Sequence, residues 1–243
     1  MAVNPCMPRC AAFLSLLCFA VASTAGDHVL LNATFNAETV GSPPGTGGAA
    51  VGEPIGAGTA IIGLAPFPTP NLQIRDTATC CAQATAFEFL GSEEVTSGTV
   101  QIRADVEFSG TSQPVIGLRE QGSYADTFLD LYSGNDQPYL AAYTGSTFHT
   151  VLGQFTPNAI VPLEIDASAD QRLVSIRLNG VSLLDQAAIT FTQPTTRGIG
   201  TLLIGVENSA SLSGDVMRID NLHAIACTSS VFADCLFVDS FDH

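Results

Sequence analysis

The chain has 243 residues and a formal net charge of −15, and its eight basic residues are all Arg, scattered without a cluster. So acidic a field excludes nucleic acid and anionic membrane surfaces as natural partners. After the first residues, no segment approaches the roughly 18 consecutive apolar residues of a membrane-spanning helix, so no membrane insertion is expected.

The chain opens with the pattern of an export signal over residues 1–25. Arg9 supplies positive charge, "CAAFLSLLCFAVA" the apolar run, and Ser23 and Ala25 the small residues of a cleavage site before Gly26. A lipid anchor at Cys18 would need a small residue before it, and Leu17 stands there. A secreted, extracellular protein is therefore expected, with a periplasmic or cell-surface location as the variant. One domain should cover residues 26–226, and residues 227–243 form an acidic tail, "CTSSVFADCLFVDSFDH". Cys80, Cys81, Cys227 and Cys235 remain after the signal, an even number that suits disulfides in an oxidising compartment. Three pairings are open. The two that join Cys80 and Cys81 to the C-terminal pair close loops of about 150 residues and are favoured.

"HVLLNATFN" reads as a first strand, and "GSPPGTGGAAVGEPIGAG" after it has neither period and reads as loop. In "TVQIRADVEFSG", Val100, Ile102, Ala104, Val106 and Phe108 point one way, and Gln101, Arg103, Asp105 and Glu107 the other. "QPVIGLRE", "TFLDLYSG", "PYLAAYTG", "FHTVLG", "IVPLEIDA", "RLVSIRLNG", "TLLIGVE" and "VMRIDNLHAIA" follow the same habit between Gly, Asn, Asp and Pro turns. With no capped helical stripe, the fold class is all-β, a two-sheet antiparallel sandwich or jelly roll.

The stretches "LLNATFNAETVGSPPG", "VPLEIDASADQRLVSIRLNGVSLLD" and "GDVMRIDNLHAIA" resemble the concanavalin A-like, laminin G-like jelly-roll superfamily over residues 28–226. The resemblance implies first and last strands side by side, a saccharide-binding sheet face in many members, and glycosidases or polysaccharide lyases among others. It also implies a structural Ca2+ where the terminal strands meet, at Asn36, Glu38 and Asp220.

Glu164 and Asp166 raise the question of catalysis, because two residues apart on a strand share a face. Laminarinase-type hydrolases, which place their carboxylates on one strand face in this way, need a third. Here Ser168 and Ala169 follow, so the pair is expected to be the polar face of a framework strand. A β-elimination trio would have to be Tyr143, His149 and Arg119, a weak match in so acidic a chain. The four His are too far apart in sequence for a zinc motif.

All four tyrosines, Tyr124, Tyr132, Tyr139 and Tyr143, fall within twenty residues across an expected hairpin, with Tyr132 facing Tyr143. Rings of this kind stack on sugar faces, and Arg119, Asp130, Asn135, Asp136 and His149 would supply hydrogen bonds. The chemistry expected is a non-catalytic recognition module for saccharide or cell-surface glycan. An extracellular structural or adhesion protein is the alternative, and a glycoside hydrolase or polysaccharide lyase the third reading.

Overall fold

The structure is a computed structural model that describes residues 28–44, 50–51, 58–76, 83–89, 94–108, 114–121, 127–133, 138–191, 197–206 and 216–228. It is all-β. The strands are β1 (His28–Ala33), β2 (Ala50–Val51), β3 (Gly58–Gly63), β4 (Asn71–Asp76), β5 (Gln83–Glu88), β6 (Thr99–Phe108), β7 (Pro114–Arg119) and β8 (Thr127–Ser133). They continue with β9 (Tyr139–Thr144), β10 (Thr147–Gln154), β11 (Val161–Ser168), β12 (Leu173–Leu178), β13 (Val181–Ala188), β14 (Thr201–Val206) and β15 (Val216–Cys227).

Two antiparallel sheets pack face to face. Sheet A runs β13-β12-β11-β6-β15-β4-β3 with β1 also on β15, and sheet B runs β10-β9-β8-β7-β14-β5-β2. Each sheet therefore contains a meander of consecutive strands beside one late central strand, β15 in sheet A and β14 in sheet B. The alternation of β6 is realised in full: Val100, Ile102, Ala104, Val106 and Phe108 lie in the core between the sheets. Ile165 on β11 and Ile176 on β12 stand beside Ile102 in the same cross-strand row, and sheet B closes the core with Ile116, Leu131, Leu140 and Ile204.

The first strand lies against the last, Ala33 opposite Leu222 and His28 opposite Ala226. The same edge of β15 carries β4 lower down, with Ile219 opposite Leu72. The handover from β4 to β1 falls at a bulge between Asp220 and His223, where Asn221 takes φ 50°. Another close approach, of the β6 entry to the end of β15, demands glycine. Gly98 has φ 81°, and a Cβ there would stand 2.2 Å from the Cys227 carbonyl oxygen.

The stretch expected to be loop contains β2 and leads into β3, which corrects that expectation in part. β4 alternates in sequence, Asn71, Gln73 and Arg75 against Leu72 and Ile74, yet Asn71 and Gln73 are buried as well as the two apolar residues. Gly63 lies so close to the Gln73 side chain that a Cβ there would force that side chain to shift. The Asn-Gly pair behaves as its chemistry dictates. Asn179 and Gly180 take φ 50° and 73° and join β12 to β13 in a two-residue turn.

Both sandwich edges at the meander end are broken. β10 bulges at Val151 (φ 46°) and β13 at Gln186 (φ 47°), whose N–H is taken by the Ser175 hydroxyl. The two edges are tied together by Thr190, whose carbonyl accepts from Ser146 N at 2.6 Å and whose N–H donates to Thr144. Bulged, cross-tied edges resist pairing with another chain. Among the described residues no helix is long and apolar enough to cross a membrane.

Candidate functional site

The outer face of sheet B is built by alternation on four consecutive strands. On β7 it receives Val115, Gly117 and Arg119; on β8, Asp130 and Tyr132; on β9, Tyr139, Ala141 and Tyr143. Register then decides which side chains meet. Asp130 stands between Gly117 and Tyr143 in one cross-strand row, while Tyr132 stands between Val115 and Ala141 in the next. The β9–β10 turn has Gly145 at φ 62° and sets Phe148 opposite Tyr143.

The result is an aromatic patch. Ring centroids are 5.8 Å apart for Tyr132 and Tyr143, 4.9 Å for Tyr143 and Phe148, and 6.3 Å for Tyr132 and Phe148. Their planes lie within 35° of parallel. Tyr143 is 40% and Phe148 47% exposed, an unusual degree for rings in a sheet. Beside them the Arg119 guanidinium donates from Nη2 to Asp130 Oδ1 at 2.5 Å and from Nη1 to the Thr127 hydroxyl. Gly117 is the floor under this pair. A Cβ at that position would come within 2.8 Å of Asp130 Oδ1 and 3.4 Å of Arg119 Nε.

The sequence candidates are thus partly gathered and partly separated. Arg119, Asp130, Tyr132 and Tyr143 share one patch, and Tyr139, also exposed, lies on the same face of β9. His149 points the other way. It is the register partner of Ala142, and its Nε2 lies 2.9 Å from the Thr144 hydroxyl. Thr144 gives its only hydroxyl proton to the Ala188 carbonyl, so His149 is the donor in this contact. Tyr124, Asn135 and Asp136 lie outside the described residues. Sequence reasoning missed Phe148. The signal was the short Thr-Gly-Ser-Thr turn, from which register counts back to place Phe148 opposite Tyr143.

The outer face of sheet A is different in kind. Here charges are matched rather than rings gathered. Arg103 lies 2.9 Å from Asp166 and 3.8 Å from Glu164, Arg177 lies 3.6 Å from Glu164, and Arg218 pairs with Glu107. Glu164 and Asp166 therefore share one guanidinium across the β6–β11 ladder, and Asp166 is all but covered by it.

At the β15 bulge, Asp220 is buried and accepts from the Thr69 hydroxyl at 2.7 Å and from Asn221 N at 2.8 Å. Desolvation raises its pKa above the ordinary carboxylate value, against the lowering effect of those two donors. His223, also buried, has its pKa lowered by desolvation, opposed by the Asp105 charge. Asn36 is exposed and Glu38 half-buried in the turn after β1. Ca2+ takes six to eight oxygen ligands. Both Asp220 oxygens already accept protein donors, and among the described residues no three His, Cys, Asp or Glu come together as a metal-binding group. Cys227, buried at the end of β15, is a disulfide cysteine; Cys80, Cys81 and Cys235 lie outside the described residues.

No protein-family model matches this chain, and no curated protein matches it. Solved structures do match in fold. A sialidase aligns with TM-score 0.59 at 12% identity over 84% of this chain, which spans only 19% of that one. A cellulose-induced protein aligns with TM-score 0.57 at 10% identity, covering 82% of this chain and 98% of that one. Botulinum neurotoxin type C, whose cell entry depends on two ganglioside molecules, aligns with TM-score 0.52 at 10% identity over 85% of this chain and 49% of its own. These likenesses establish the β-sandwich architecture.

Proposed function

We propose that the protein is an exported, disulfide-tied, non-catalytic carbohydrate-recognition module of the laminin G-like type, and that it binds through the outer face of β7–β10. The observation that carries this reading is the group of Tyr132, Tyr143 and Phe148, half-exposed on a sheet face and flanked by the Arg119–Asp130 pair. Ring faces take the apolar side of a pyranose, and fixed polar groups beside them take its hydroxyls. The disulfide at Cys227 supports an oxidising compartment. The carbohydrate-related names among the structural neighbours are compatible with the same reading.

A catalytic role for Glu164 and Asp166 finds no support in their surroundings. Both carboxylates lie against Arg103 on the opposite sheet, away from the rings. The deciding experiment is a glycan array probed with the mature protein, with and without Ca2+, and repeated with Tyr143→Ala. Glycan signals that the variant loses support the reading; an array without signal ends it.

A further inference from the structure

We infer that the glycan held on this face is neutral, and that Asp130 excludes acidic sugars by keeping Arg119 occupied. The inference rests on the carbohydrate reading above and specifies the ligand class of the same site.

A sugar carboxylate needs a cation with donors to spare. This chain has no Lys, and seven of its eight Arg lie among the described residues. Arg9 belongs to the signal-like start. Arg75 bonds Gln73, and Arg103, Arg177 and Arg218 pair with acids, all four on sheet A. Arg172 lies 5.1 Å from the ring centroids of both Phe128 and Phe191. Arg197 sits beyond the end of β7 with Glu94 and Glu120. Among the described residues Arg119 alone of the arginines stands on the outer face of sheet B, and its side chain is only 13% exposed. Each of its terminal nitrogens gives one hydrogen bond, to Asp130 and to Thr127, and its charge is matched by the Asp130 carboxylate.

The site thus offers ring faces and a charge-neutral pair inside a strongly negative field. Hydroxyl groups suit it. The carboxylate of Asp130 can accept a sugar O–H while still holding Arg119, since it has about four lone-pair sites. An added carboxylate on the sugar would meet Asp130 with no cation left to balance it.

The test uses biolayer interferometry on immobilised matched pairs: a galactose-terminated glycan against its sialylated form, and mannan against polymannuronate. At about 0.15 M salt, screening over about 8 Å removes most of the effect of distant charge. The wild-type protein should prefer the neutral member of a pair by about tenfold or more. Asp130→Asn should collapse that preference by admitting the acidic member, and Arg119→Gln added to it should abolish the gain. Gly117→Ala, which presses on the carboxylate and keeps every charge, should also narrow the ratio, and serves if Asp130→Asn fails to fold. Equal or tighter wild-type binding of the acidic member, lost with Tyr143→Ala, overturns the inference and leaves the carbohydrate reading standing. Binding of neither member, with a silent array, takes down both.

Discussion

Tyr143 and Phe148 stand opposite each other across the β9–β10 turn with ring centroids 4.9 Å apart, and both rings remain well exposed. A cross-strand aromatic pair of this kind stabilises a hairpin by about 0.2–1 kcal/mol. Replacing either ring with Ala should therefore leave the urea midpoint nearly in place, a change of less than about 1 kcal/mol. Glycan affinity should fall by about tenfold or more, because the lost surface belongs to the ligand. Calorimetric titration of the array-selected glycan against each variant reads this directly. A fall in stability with intact binding would make the rings sheet packing and nothing more.

The Arg103–Asp166 pair has the reverse profile. Asp166 has a side chain 8% exposed, so Arg103→Ala would leave a nearly buried carboxylate without its cation. A fully buried pair broken in this way costs about 3–5 kcal/mol, and the partial exposure of Arg103 reduces the expectation to about 1–3 kcal/mol. Arg177, 48% exposed, pairs with Glu164 in solvent, and Arg177→Ala should cost no more than about 0.5 kcal/mol. Neither change should alter glycan binding on the far sheet. Equal costs in chemical denaturation would contradict this account.

That contrast explains what the sequence made legible. β6, β11 and β12 announced themselves by polar–apolar period, although Gln101, Glu107, Asp166 and Ser175 on their polar faces are buried, and Asn179-Gly180 fixed a turn and with it a register. β4 has the same alternation, Leu72 and Ile74 between Asn71, Gln73 and Arg75, but only over six residues. The aromatic patch was half visible. Proximity in sequence suggests that tyrosines meet, but which ring faces outward depends on turn geometry. Gly145 brought Phe148 in, and strand parity turned His149 away.

Titration at the β15 bulge should be visible in stability. His223 has its pKa lowered on folding, so the folded state binds fewer protons and stability falls as pH drops from the unfolded value of about 6.5 toward the folded one. The groups facing it are Asp105 and Arg103 on β6 and Asn32 on β1. Asp220 has its pKa raised, so its contribution is fully present below about 3.8 and is lost as pH rises through the folded value. Urea melts across pH 3–8 should show His223→Gln flattening the limb below neutrality and Asp220→Asn flattening the acid limb. Parallel curves for all three proteins would contradict these assignments.

The calcium expectation can be tested at the same bulge. We propose that an ion held by Asn36, Glu38 and Asp220 would share the Asp220 carboxylate with the Thr69 and Asn221 donors, so that Ca2+ raises the melting temperature by several degrees and Asp220→Asn abolishes the rise. A melting temperature that does not move when EDTA is added or Ca2+ restored would count against the ion.

Cys227 offers the last prediction, because it ends the strand that both β6 and β1 pair with. We propose that its bond is long-range, to Cys80 or Cys81, closing a loop of about 150 residues, the case in which chain entropy gives a crosslink most stabilisation. Cys227→Ser should then cost about 2–5 kcal/mol, and a reducing agent should lower wild-type stability by a similar amount. Unreduced peptide mapping identifies the partner. A Cys227–Cys235 peptide would mean that the bond closes only a short loop in the tail, and reduction should then barely move the denaturation midpoint.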